Sequence, residues 1–358
     1  KRDCPVKAGF YKSRFSGRVS FCQAGRILSG IGAYILLRME WRVCPREGMK
    51  LEDLKISTYE SVYYQLRELS QRYREFTRFR MIGQSHDERV IPMLEIGRGR
   101  EVLICTAGIY GREQKNVEFL LQMAAEYCQA YECSRMIDRQ YPVEELLDQT
   151  SICMIPLVNP DGYEICRKGF SVIGNPILRQ MLKMLRKSNT DWKCNARGVD
   201  LQGNFPTEDY QRTSIHDCAG SENETKALMH VFKEYESVGY LDFRNRETVR
   251  RRSRNTLFLR YSRKGKRIAR SLSKLSKSRE RQQERIPSYV GSSALEYYSE
   301  LTGSPAVAVE TIEESEIETR EEFQEVYEEL RAIPLEFLQS EVGEQERNKK
   351  KLAAKKTG

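Results

Sequence analysis

Four short, almost wholly apolar runs constrain this chain more than any other feature. They are "EVLICTAG" (101–108), "SICMIPLV" (151–158), "VGYLDF" (238–243) and "PAVAVETI" (305–312). A strand with one wet face alternates apolar and polar residues, so strands that are apolar throughout must be covered on both sides. Helical spacing fills the intervals at 114–130, 221–236 and 292–303. This alternation predicts an α/β fold: a single domain with a mixed, mostly parallel twisted sheet covered by helices on both faces. Sites in such folds lie beyond the carboxyl ends of the strands, which is where Glu113, Asp161 and Glu310 fall.

The remaining elements follow from local signals. Residues 51–80 read as a helix, with Ser57 or Thr58 as cap and Val62, Leu66, Leu69 and Tyr73 at helical spacing. "ERVIPMLEIGRG" (88–99) alternates like a strand, and with the run at 101–108 it predicts a hairpin. Asn159-Pro160-Asp161-Gly162 is a turn signal ending the second apolar run. "EEFQEVYEELRAIPLEFLQS" reads as one final amphipathic helix. The organisation predicted is an N-terminal segment at 1–48 without an assignable element, a domain at 49–338 and a charged tail at 339–358.

No apolar run reaches membrane-spanning length. "ILSGIGAYILL" (27–37) follows a basic stretch as a secretory h-region does, but no small-residue cleavage site follows, so it reads as a short core-packing segment. A start at Met39 or Met49 would remove it. Ten cysteines occur without a C-x-x-C pair, and Cys105 and Cys153 lie inside apolar runs, which points to free thiols and a cytoplasmic location.

Charge is segregated. Residues 244–285 hold 17 Lys/Arg against 3 Asp/Glu, and residues 310–346 hold 14 Glu against 2 Arg. The two blocks can pair with each other. The sharper reading, a polyanion-binding surface on 244–285, ranks below it, because no nucleic-acid module is recognisable there. Nucleic acid is therefore not the expected partner.

Three motifs occur in order: "AGIYGREQ" (107–114), "LVNPDGYE" (157–164) and "NARGVDLQGNFP" (195–206), with "PAVAVETI" about a hundred residues later. Together they make the chain resemble the zinc carboxypeptidase family of carboxypeptidase A type, and most of all its bacterial γ-D-glutamyl-diaminopimelate peptidase branch. The resemblance covers roughly residues 52–338. It implies hydrolysis of C-terminal or cell-wall-type peptide bonds by one zinc held by His, Glu and a second His, with a peptide or peptidoglycan fragment as ligand.

Carried over position by position, the resemblance places a retained glutamate ligand at Glu113 and the catalytic base at Glu310. Lys193 matches the basic residue that helps stabilise the oxyanion. Arg112, Gln202 and Tyr289 are the substrate-binding candidates, with Gln202-Gly203 standing where the family has an Asn-Arg pair for the substrate carboxylate. Both histidine ligands are replaced, the first by Tyr110 and the second by Arg244 in "LDFRNRE". Arginine does not lose its proton in proteins, and a positive charge repels a divalent cation.

The resemblance therefore implies a carboxypeptidase fold whose zinc is absent or weakly bound and whose activity is impaired. Arg244 would neutralise Glu113 and Glu310 instead. The competing reading is an active peptidase with zinc held by Glu113 and His216 or Asp242. The histidines His86, His216 and His230 fall on no motif and read as surface or helix-face residues. Each lost residue is one base change from the family's, which fits a decayed gene as well as a repurposed fold.

Overall fold

Thr58 opens the first helix of the structure, Tyr59–Arg72. Its hydroxyl accepts from the Ser61 N–H while Ser61 Oγ accepts from the Thr58 N–H, so two otherwise orphaned donors are satisfied reciprocally. The structure is a computed structural model that describes residues 58–185, 187–212, 218–246, 257–275, 282–285, 293–312 and 314–356. Tyr289, His216 and the segment 1–48 lie outside the described residues.

The helix ends at Arg72, where the helical spacing of Val62, Leu66, Leu69 and Tyr73 runs out. Residues from Thr77 onward form strand β1 (Thr77–Gln84), which pairs antiparallel with β2 (Val90–Gly97). The strands that follow are β3 (Glu101–Ala107), a two-residue pair β4 (Met136–Ile137) and β5 (Tyr141–Pro142), β6 (Thr150–Ile155), β7 (Ser237–Asn245), β8 (Leu257–Tyr261), β9 (Gln282–Arg285) and β10 (Ala306–Thr311).

Eight of them make one sheet in the order β1-β2-β6-β3-β7-β10-β8-β9. The pairs β3·β6, β3·β7, β7·β10 and β8·β9 are parallel, whereas β1·β2, β2·β6 and β8·β10 are antiparallel. The sheet is therefore mixed and mostly parallel. The expected hairpin of β2 with β3 does not form, because β6 lies between them. Residues 98–100 step across the start of β6, with the Arg98 N–H donating to Leu147 O and the Ser151 hydroxyl donating to Gly99 O.

Both faces of the central strands are buried in alternation. Leu103, Cys105, Leu241, Phe243, Val307 and Val309 join the core beneath the helices Tyr59–Arg72, Gln114–Glu132 and Arg320–Leu330. Val102, Ile104, Tyr240, Ala306 and Ala308 join the opposite core, under the helices Asn223–Glu234 and Ala294–Thr302. This two-sided burial is what the apolar runs predict.

Two local readings are corrected. Asn159-Pro160-Asp161-Gly162 begins a helix, Pro160–Lys168, rather than a free turn. Asn159 Oδ1 accepts from the Gly162 N–H and proline takes the first helical position, where its missing N–H costs nothing. The C-terminal amphipathic stretch is two helices, Arg320–Leu330 and Ile333–Lys356, and Pro334 sits in the first turn of the second. No helix among the described residues is long and apolar enough to cross a membrane. Cys105, Cys128, Cys153, Cys166, Cys194 and Cys218 are free thiols, but Cys133 is disulfide-bonded, contrary to the expectation of thiols throughout.

Candidate functional site

Parallel register builds the site at the carboxyl ends of β3, β7 and β10. It aligns Glu310 with Arg244, and Thr106 with Asp242. Residues two apart on a strand share a face, so Asp242 and Arg244 project together on the side of Tyr240. Glu310 projects on the same side, that of Ala306 and Ala308. Beyond β3, Gly108 takes a positive φ of 62°, and the chain turns through Tyr110-Gly111-Arg112 into the helix Gln114–Glu132. Gly111 lies so close to Gly162 that a Cβ there would sit 2.3 Å from the Gly162 carbonyl oxygen.

Glu113 is wholly buried at the entrance of that helix. Its Oε2 accepts from the Tyr110 N–H at 3.1 Å and its Oε1 from the Asn245 N–H at 3.0 Å. Burial, and then the charge of Asp242, push its carboxyl well above the ordinary range, against the pull of those two N–H groups and of Arg244. The backbone has thus enclosed the carboxylate.

Arg244 donates to Glu310 Oε1 from Nε at 3.2 Å and from Nη2 at 3.0 Å, and Nη1 lies 3.8 Å from Asp242 Oδ2. Arg260 Nε approaches the same Glu310 oxygen at 2.9 Å. Burial pulls the Arg244 pKa down, but the charges of Glu310 and Asp242 outweigh it and hold the guanidinium protonated. Asp242 is wholly buried and accepts from Gln202 Nε2 at 2.9 Å and Thr106 Oγ1 at 3.1 Å. Burial leaves its carboxyl above the usual aspartate range despite Arg244. A single chain of contacts, Gln202–Asp242–Arg244–Glu310–Arg260, therefore closes the ends of β7 and β10.

The residues singled out in the sequence are largely brought together. Tyr110 is buried, with Lys193 Nζ 5.4 Å and the Arg112 guanidinium 6.0 Å from its ring centre. Arg112 also pairs with Asp191 at 2.7 Å and lines a cleft of about 270 Å³ with Gln114, Cys166, Asp191 and Asn245. Gln202 is engaged at both ends, since its Oε1 faces the Ala294 N–H at 3.4 Å. Arg244 hydrogen-bonds Glu310 but not Glu113, so the expected double neutralisation is direct for only one of them. Arg260 carried no sequence signal, being one arginine in a basic run. Asp242, named from the sequence as an alternative zinc donor, lies two residues before Arg244 on the same face of β7 and pairs with it.

A second buried cluster was missed. His86, read as a surface residue, is half-buried in the turn between β1 and β2, and its Nε2 lies 3.0 Å from Glu222 Oε2. Glu222 and Glu224 flank the start of the helix Asn223–Glu234, wholly buried, and Asn195 Nδ2 donates to both at 2.7 and 3.2 Å. Burial pushes Glu222 up, yet hydrogen bonds with His86, Ser221 and Asn195 and the charge of Arg197 outweigh it and bring it to about 2. Burial pushes Glu224 to about 7. His230, by contrast, is exposed on the same helix beside Glu234, as a helix-face residue should be.

The model of the zinc carboxypeptidase family matches residues 62–305. The chain is 32% identical over 139 residues to the uncharacterized protein YqgT of Bacillus subtilis (strain 168), 37% of this chain and 36% of that protein. It is 28% identical over 134 residues to gamma-D-glutamyl-L-diamino acid endopeptidase 1 of Lysinibacillus sphaericus, covering 36% of this chain and 32% of that protein. The match thus spans about a third of the length of these curated relatives. Among solved structures, thrombin activatable fibrinolysis inhibitor superposes with a TM-score of 0.63 at 13% identity, over 81% of this chain and 75% of that one. The carboxypeptidase A of Helicoverpa armigera gives 0.56 at 16% identity, over 79% and 74%. At such identity the structures speak for the fold.

Proposed function

The chain belongs to the zinc carboxypeptidase family, and from that premise we propose that it is a catalytically impaired member that binds peptides without hydrolysing them. The observation that carries this reading is Arg244. A buried guanidinium held between Glu310 and Asp242 stands at the position read as the second histidine ligand. Tyr110 stands at the first. Zinc, when bound, supplies an activated water and a polarised carbonyl, but the residues here do not fit it. Glu113 has both oxygens engaged by backbone N–H groups, and Arg244 puts a fixed positive charge beside it. No hydrolytic step is derived through a metal at this place.

Glu310, at the position of the family's base, has its Oε1 held by both Arg244 and Arg260. What the cleft retains is binding chemistry: Arg112 and Lys193 around the Tyr110 ring are cations suited to a peptide carboxylate, such as that of a peptidoglycan fragment. The test is turnover of C-terminal peptide and γ-D-glutamyl-diamino acid substrates by the full chain with excess zinc, alongside calorimetric titration of the same peptides. The expected result is binding without product. Chelator-sensitive hydrolysis that disappears in Glu310→Gln would overturn the proposal.

A further inference from the structure

The network around His86 contains more buried negative charge than its cations balance. Asp161, Glu222 and Glu224 are wholly buried, and Asp87 adjoins them through Arg89. Besides His86, the cations at hydrogen-bond distance from these four carboxylates among the described residues are Arg89, 2.7 Å from both Asp87 and Asp161, and Arg197, 3.1 Å from Glu222. Glu224 has neither. Its Oε2 accepts from Asn195, while its Oε1, fully buried, has no hydrogen-bond partner among the described residues. A buried, unpaired carboxylate oxygen is costly enough to call for a ligand.

His86 adds a second group. Its buried Nε2 faces the cluster and lies 3.0 Å from Glu222 Oε2. Two such atoms at that separation need a proton or a metal ion between them. Bonds of about 2.0–2.1 Å to one ion hold adjacent ligand atoms roughly 3.0–3.4 Å apart. One donor atom from each of His86, Glu222 and Glu224 lies within 4.8 Å of the others.

We propose that His86, Glu222 and Glu224 form a divalent transition-metal site, separate from the Tyr110–Glu113 turn. One imidazole with two carboxylates suits zinc or manganese better than the all-oxygen preference of calcium and magnesium or the thiolate preference of soft ions. Asn195 orients both carboxylates, and its own carbonyl oxygen is fixed by the N–H groups of Arg197 and Val199. The ion would join the β1–β2 turn to the start of the helix Asn223–Glu234, and the partly exposed His86 gives it an entry path. The role is structural.

The experiment is zinc uptake by the full chain after chelation and dialysis, read by elemental analysis, by melting temperature and by zinc X-ray absorption. The expected result is about one zinc per chain, a rise in melting temperature with zinc, and a coordination shell of one imidazole with oxygen donors. His86→Gln and Glu224→Gln should each abolish uptake and the thermal shift, while Glu113→Gln leaves both intact. No uptake by the wild type, meaning that a proton shared by His86 and Glu222 neutralises the cluster, overturns the proposal. So does uptake that survives His86→Gln or is lost in Glu113→Gln. Should the variants fail to fold, the wild-type absorption spectrum still decides, because a shell with no imidazole or with more than one is incompatible with this site.

Discussion

Two buried clusters of carboxylates lie on this fold, and they solve the same electrostatic problem differently. At the ends of β7 and β10, Asp242 and Glu310 enclose Arg244, and Arg260 adds a second cation at Glu310 Oε1, while Glu310 Oε2 has no hydrogen-bond partner among the described residues. At the β1–β2 turn, Glu222 and Glu224 meet a histidine, an asparagine and one partly exposed arginine, leaving Glu224 Oε1 without a partner. A guanidinium carries its charge permanently and closes a site to metal. An imidazole among carboxylates can serve as a metal ligand. On the readings proposed above, the cluster closed by Arg244 is the less suited to an ion and the corner at His86 the better suited.

The largest expected effect comes from taking the arginine out of the first cluster. Arg244→Ala strands two buried carboxylates and should cost about 3–5 kcal/mol in denaturant unfolding. Asp242 already lies above its ordinary range, and losing Arg244 raises it further. A carboxyl whose folded pKa exceeds its unfolded one binds its proton more tightly in the native state, so stability falls as pH rises through that window. The loss in Arg244→Ala should therefore be greater at pH 8 than near pH 5. An equal loss at both would show that packing, not charge, holds Arg244.

The second test makes the two clusters alike. Tyr110→His combined with Arg244→His restores imidazoles beside Glu113, and zinc uptake should rise by about one ion per chain. Made together with His86→Gln, the same pair should take the count from zero to about one. Failure to gain an ion would mean that Tyr110 and Arg244 are not the ligand positions.

Smaller effects grade the individual contacts. Arg260→Ala leaves Glu310 with Arg244 and should cost about 1–2 kcal/mol, clearly less than Arg244→Ala. A cost as large as that of Arg244→Ala would make Arg260 the principal counter-charge. His86→Gln without zinc removes one partly exposed ion pair and should change stability by less than about 1 kcal/mol, so a much larger loss would show that the imidazolium holds the turn without a metal. Among the described residues three arginines of the basic block pair with the acidic one: Arg244 and Arg260 with Glu310, and Arg267 with Glu341.

Local chemistry was legible wherever one segment dictates its own environment. The unbroken apolar runs require two-sided burial, and β3, β6, β7 and β10 have it. Thr58 and Ser293 cap the helices they precede, and Gly303, in a left-handed conformation at φ 70°, ends one. The motif residues Tyr110, Glu113, Arg244 and Glu310 converge because the strand ends that carry them are neighbours in the sheet, and Lys193 reaches the Tyr110 ring from a loop. Pairing order was not legible: nothing local in 88–108 says that β6, fifty residues on, will enter between β2 and β3.

The same holds for electrostatics. A sequence states that Arg244 and Glu310 exist, but parallel register sets them side by side and leaves Glu113 to backbone N–H groups. His86 is more than a hundred residues from Glu222 and Glu224 and meets them only because a hairpin turn and a helix start share one corner. Burial and counter-charge are properties of the assembled neighbourhood, whereas periodicity and capping belong to the segment.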